Sequence, residues 1–187
     1  SHFLNFGKEA ELIIDIGGGS VEFIIANDQE VLWMRSLEIG GQRLMDQFHN
    51  NDPIDQEDID RLNSFLRSQL EVVFQKCYRH NVKKLIGSAG SFDTLQEMLS
   101  KSDYASQRDK SILPIDYFDS ICTELISKKR EDRLKIPGMI TMRVDMIVVA
   151  SLLIKLLVEE LELNQIRVSS FALKEGVLFG SKNRKEA

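Results

Sequence analysis

The sequence predicts an α/β domain: a mixed five-stranded sheet flanked by helices. Three observations predict it. Three apolar, β-branched runs open the chain at 12–16, 21–26 and 31–39, separated by short turns, which is the pattern of an antiparallel meander. Beyond Asp55 the period changes, and Ile59, Leu62, Phe65, Leu66, Leu70, Val73 and Cys77 recur at the spacing of one helix face. Later runs at 82–87 and 166–170 then alternate with helical segments, as strands of one sheet do when helices connect them.

Each element has a local reason. LIIDI (12–16) and VEFIIA (21–26) flank the glycines Gly17–Gly19, and VLWMRSLEI (31–39) follows the turn NDQE, with Trp33 expected in the core. After Gly40-Gly41, QRLMDQF (42–48) reads as a short helix and 50–53 as a loop. Asp55 is placed to cap a helix with acidic residues in its first turn, reaching Arg79. VKKLIG (82–87) is the fourth strand, SAGS (88–91) a turn and FDTLQEML (92–99) a helix. Residues 100–111 form a loop, and Pro114 suits the first turn of a helix running to about Lys128. KKREDRLKIPG (128–138) links to an apolar helix that begins near Asp145; IRVSS (166–170) is the fifth strand and FALKEGVLFG (171–180) a closing helix.

Composition narrows the function classes. The 187 residues are 43% hydrophobic and 28% charged, which suits one globular core and excludes disordered, collagen-like and short-repeat classes. A formal charge of −5 supplies no overall basic field, so no nucleic-acid partner is expected. Only Cys77 and Cys122 occur, both on apolar helical faces, which points to free thiols and a cytoplasmic location. The most apolar run, 146–158, is interrupted by Lys155 and falls short of the roughly 20 residues a span needs, so no membrane association is expected. His2, His49 and His80 lack ligand spacing, and the basic run from Lys128 to Lys135 reads first as a solvated loop.

The chemistry is concentrated in DIGGGSVE, residues 15–22. A glycine turn after a strand lets backbone approach an anion closely. A P-loop would need a Lys-Ser/Thr pair and a helix next, and a dinucleotide fingerprint would need a third glycine where Glu22 stands. What remains is a hairpin whose turn offers N–H groups, with Asp15 before it and Glu22 after it. A purely structural hairpin would leave Asp15, set among LII and Ile16, without a reason. A role as ligand to a metal or water supplies one. GSAGS (87–91), between a strand and a helix, is a second place for an anion or nucleotide, or else a tight connection.

DIGGGSVE resembles the second phosphate motif of the exopolyphosphatase and guanosine pentaphosphate phosphatase family. SLEIGGQRLMDQF, GSAGSFDTL, RVDMIVVAS and IRVSSFALKEGVLFG resemble further segments of that family, in the same order, across residues 12–180. The family belongs to the actin-like ATPase superfamily, built from two ribonuclease H-like lobes. The resemblance implies that residues 12–187 are the second, C-terminal lobe, with 1–11 a tail or linker remnant. It implies a Mg²⁺-dependent hydrolase that releases terminal phosphate from polyphosphate or guanosine pentaphosphate. On this basis Asp15 and Glu22 are the catalytic and metal-holding residues, with Glu22 orienting the attacking water. The N–H groups of Gly17, Gly18, Gly19 and Ser20 hold phosphate, and Gly87, Ser88, Gly90, Ser91 and Arg143 contact substrate.

The departures also carry expectations. Fourteen residues precede Asp15, without a first phosphate turn, and Glu9 or Glu11 would be a forced choice for the family's general-base glutamate. The expected partner is therefore an N-terminal lobe of the same parent chain, with the lobe alone inactive and a homodimer of the parent as a further expectation. Lys174 stands where the family often has arginine, which removes a bidentate fork. Two other readings stay open: a lobe of a sugar or acetate kinase-type phosphotransferase, and a non-catalytic phosphate-sensing module.

Overall fold

The computed structural model describes residues 7–88, 90–105 and 111–169. The opening meander forms as the alternation predicts: β1 (Glu11–Ile16), β2 (Val21–Ala26) and β3 (Val31–Leu37) pair antiparallel in sequence. The third strand stops two residues earlier than its apolar pattern, because Ile39 N–H donates to the carbonyl of Leu37 (2.8 Å) and turns the chain toward Gly40.

Then follow α1 (Gly41–Phe48) and α2 (Gln56–Arg79). Asp55 does cap α2, accepting the N–H of Asp58 at 2.8 Å. β4 (Lys84–Ser88) leads into α3 (Gly90–Ser100), which begins earlier than the sequence pattern and takes Gly90 and Ser91 out of the expected turn into a helix. A short strand absent from the sequence reading, β5 (Ile112–Leu113), precedes α4 (Ile115–Ser127), with Pro114 as its cap. The chain continues through α5 (Arg130–Arg133), a 3₁₀ turn at Thr141–Arg143, α6 (Met146–Leu161) and β6 (Gln165–Ser169). The closing helix expected at 171–180, with Lys174, lies outside the described residues.

The sheet therefore has six strands rather than five, in the order β3-β2-β1-β4-β6-β5. β1, β4 and β6 run parallel, and β5 pairs antiparallel to β6 through two residues. Two residues carry too little pattern to register as a strand beforehand.

The two sheet faces differ. Leu12, Ile14 and Ile16 of β1 and Val21, Phe23 and Ile25 of β2 join the helices in one large core. α6, with twelve of its sixteen residues buried, is its central column, and α1, α2 and α4 pack around it. The other face bears a small cluster, Ile13, Ile24, Ala26 and Ile86, and the polar residues that alternate with them. Trp33 is half-buried against the main core on the outermost strand. Glu11, expected in the tail, is the first residue of β1 and only 2% exposed. Cys77 and Cys122 are buried free thiols, each pushed up to about 12 by burial.

Candidate active site

Asp15 is opposite Glu22 across β1 and β2, and opposite Ser88 across β1 and β4. The same rung continues outward to Ser36 of β3 and inward to Ser169 of β6. Five neighbouring strands thus place a polar residue on one line, on the face opposite the described helices. For the parallel strands this line lies at their carboxyl ends, where open α/β sheets bind ligands. Glu22 Oε1 accepts hydrogen bonds from Ser20 Oγ (2.6 Å) and Ser36 Oγ (2.9 Å). Ser88 is 1% exposed, and its hydroxyl has no hydrogen-bond partner among the described residues.

The glycine turn is held from behind by α1. Gly41 N–H donates to the Gly17 carbonyl (2.8 Å), Gln42 and Arg43 N–H to that of Gly18 (3.0 and 3.4 Å), and Gly40 N–H to that of Gly19 (3.1 Å). In a trans peptide the N–H points opposite to its own C=O. Pinning those three carbonyls to α1 therefore aims the N–H groups of Gly18, Gly19 and Ser20 away from the helix. Gly17 differs from the sequence expectation: its N–H donates to the Ser20 carbonyl (2.9 Å) and closes the turn, so it is not offered to an anion. The α1 N-terminus, which would attract an anion itself, is spent on polarising these peptides instead.

The glycines are bare for different reasons. None in the turn has a φ in the left-handed range, so hairpin strain does not explain them. A Cβ on Gly18 or Gly19 would meet nothing nearer than 3.9 Å. On Gly40 it would strike the Gly18 carbonyl group at 2.5 Å, so Gly40 is bare to let α1 reach the turn.

The second glycine segment divides in two. A Cβ on Gly87 would lie 2.1 Å from the Phe92 ring, so this glycine makes room for core packing and its predicted substrate contact has a structural explanation instead. Gly90, at φ +32°, faces Arg143, whose guanidinium would lie 2.6 Å from a Cβ there. Arg143 thus reaches the N-terminus of α3, next to buried Ser91 and to Asp93, whose carboxyl burial pushes upward while Arg143 opposes the shift.

What places Arg143 is the basic run, and here the solvated-loop reading fails at Arg133, while Lys129, Arg130 and Lys135 are exposed as it expects. Arg133 is 1% exposed; its Nε donates to the Val144 carbonyl (3.1 Å) and its Nη1 to Asp52 (2.8 Å) and the Lys128 carbonyl (2.5 Å). Arg130 Nε pairs with Asp145 (3.0 Å), and its N–H donates to Asp52 (2.7 Å). Both residues that follow Arg143 are therefore anchored. Lys128 and Lys135 are paired with Glu124 and Asp132, so this run presents no continuous basic track.

Neither upstream glutamate has the setting of a free base. Glu11 is ion-paired with Arg167 at 2.5 Å, although burial pushes its carboxyl upward, and Glu9 pairs with Lys84 at 3.1 Å. An open groove of about 820 Å³ between α1 and α2, lined by Phe48, Arg61 and Phe65 among others, includes none of the residues of the glycine turn or the polar rung. No helix among the described residues is long and apolar enough to cross a membrane.

The fold superposes on those of solved exopolyphosphatases. An exopolyphosphatase from Cytophaga hutchinsonii superposes with a TM-score of 0.87 at 37% identity, over 97% of this chain and 59% of that one. The PPX-GPPA enzyme of Aquifex aeolicus does so with a TM-score of 0.78 at 25% identity, over 92% and 57%. Among curated proteins, a guanosine-5'-triphosphate,3'-diphosphate pyrophosphatase of Pseudoalteromonas atlantica is 24% identical over 169 residues, 90% of this chain and 33% of that protein. The sequence profile of the Ppx/GppA phosphatase family matches residues 2–185, and the chain belongs to that family. It spans between a third and about half of the length of the curated relatives it matches.

Proposed function

We propose that this chain is the second, ribonuclease H-like lobe of a hydrolase that releases terminal phosphate from inorganic polyphosphate or guanosine pentaphosphate. The observation that carries this reading is the pinned turn: three consecutive N–H groups aimed away from α1, beside two carboxylates that face each other on one rung. Phosphoryl transfer to water calls for charge neutralisation and positioning more than for covalent chemistry, and these groups supply both. The N–H groups of Gly18, Gly19 and Ser20 hold phosphoryl oxygens, and Glu22 orients water through the carboxylate oxygen that Ser20 and Ser36 leave open. Arg143, anchored through Val144 and Asp145, binds a second phosphate at the start of α3.

The donor set fits Mg²⁺. This ion needs one or two carboxylates and otherwise keeps water and phosphate ligands, and Asp15, Glu22 and the unpartnered Ser88 hydroxyl match that demand. Among the described residues no group of three or more His, Cys, Asp and Glu could cage a metal. When bound, the ion would neutralise charge on the phosphoryl oxygens.

The reading includes a second lobe of the parent protein facing the turn, because Gly18 and Gly19 are exposed and would leave a phosphoryl group there in contact with water. The test is phosphate release by the full-length protein from long-chain polyphosphate and from guanosine pentaphosphate, with and without EDTA. Release that EDTA abolishes supports it; no release from either substrate overturns it.

A further inference from the structure

Ser36 opens the segment SLEIGGQRLMDQF without a role of its own in the sequence reading, and on the outer strand of the sheet it occupies the rung of Glu22 and Asp15. We propose that Ser36 is a positioning residue for Glu22, which deepens the hydrolase reading above and depends on it. An ionised carboxylate only accepts hydrogen bonds, so the hydroxyls of Ser20 (2.6 Å) and Ser36 (2.9 Å) both donate, and both donate to Oε1. Two donors, one from the turn and one from β3, fix the rotation of the carboxylate more tightly than either does alone. The second oxygen, Oε2, is left with no hydrogen-bond partner among the described residues, and this is the oxygen available to a water.

The tether also answers a local problem. Asp15 is the direct cross-strand neighbour of Glu22, and like charges side by side on a sheet repel. A Glu22 side chain held only by Ser20, two residues away at the end of the turn, could rotate from Asp15 toward the open edge. Ser36 occupies that edge and satisfies the carboxylate there, so Glu22 stays on the rung. Ser36 touches neither substrate nor water in this scheme and acts through Glu22 alone.

The experiment compares Ser36→Thr with Ser36→Val in the full-length protein, two variants of one shape that differ by a hydroxyl. Ser36→Thr is expected to keep wild-type kcat for phosphate release, while Ser36→Val loses about tenfold in kcat with KM unchanged, the loss expected for one hydrogen bond to a charged group. In a Glu22→Gln background the two variants should be indistinguishable, because the residue they position no longer acts. Equal kcat for Ser36→Thr and Ser36→Val, or an equal ratio between them in both backgrounds, overturns the role of Ser36 while phosphate release by the wild type keeps the hydrolase reading. A wild-type protein that releases no phosphate overturns both. A loss of the same size in Ser36→Thr and Ser36→Val, with a lowered urea midpoint, would assign Ser36 to strand packing and likewise overturn the proposal.

Discussion

Gly18 and Gly40 face each other across 2.5 Å of would-be Cβ contact, but only Gly40 is confined by it. Gly18→Ala is therefore expected to fold with a urea midpoint close to wild type, since its methyl meets nothing nearer than 3.9 Å and its φ is outside the left-handed range. A side chain added beside those N–H groups is expected to crowd an anion on the turn, so phosphate binding measured by calorimetry should weaken. Gly40→Ala should instead lower stability, because the clash lies against backbone that cannot swing aside. Unchanged phosphate binding in a folded Gly18→Ala would make the turn structural only. For Glu22→Gln in the full-length protein the expectation is intact folding and turnover reduced at least about a hundredfold, as for loss of a group acting on the nucleophile. Near-normal turnover would remove Glu22 from the mechanism. At this scale the sequence was legible wherever a side chain or its absence had one cause. DIGGGSVE could be read because a carboxylate among Leu, Ile and Ile needs a purpose. The reason for Gly87 could not, because it lies in the Phe92 ring, and a glycine carries no mark of what fills the space beside it.

The segment from Lys128 to Asp145 shows how an element can be misread when its partners are distant in sequence. Five basic residues look like a solvated run, yet Arg133 is buried because Asp52, 81 residues away, and two carbonyls meet its guanidinium. By contrast α2 was legible almost to the residue, since its periodicity and its Asp55 cap are local properties. Arg133→Ala leaves Asp52 without its partner and frees Val144, and should cost about 3 kcal/mol by chemical denaturation. It should also raise KM, because Arg143 follows the strap that Arg133 anchors; an unchanged KM would separate the strap from the site. The pH dependence has a definite sign. Burial works to raise the Asp52 carboxyl, but the Arg130 N–H and the Arg133 guanidinium outweigh it and hold it below its usual value of 3.8. A carboxyl lowered in the folded state stabilises the protein above its unfolded value and loses that contribution as pH falls through the folded one. The stability gap between wild type and Asp52→Asn should therefore be full at pH 6 and shrink below about pH 4. A gap independent of pH would show that Asp52 acts by shape and not by charge.

At the scale of the whole molecule, the two-lobe reading proposed above makes this chain able to fold but incomplete as a catalyst. The described helices gather on one face of the sheet and share one large core with β1 and β2, enough apolar burial for cooperative folding without a second domain. The polar rung faces the other way, and Gly18 and Gly19 are exposed, so a phosphoryl group seated there would keep much of its contact with water. Preorganised dipoles stabilise developing charge far less in that setting than inside a closed cleft. The 187 residues alone are therefore expected to unfold in a single transition and to release no measurable phosphate from polyphosphate or guanosine pentaphosphate. Phosphate itself should bind weakly at the turn, in the millimolar range that corresponds to about −4 kcal/mol. A separately expressed upstream lobe, added to this chain, should restore EDTA-sensitive release by covering the rung and supplying the missing base. The measurement is phosphate produced over time by this chain, the upstream lobe, their mixture and the full-length protein. Hydrolysis by this chain alone at the full-length rate would mean that an open shelf suffices for catalysis, and the two-lobe mechanism would have to be abandoned.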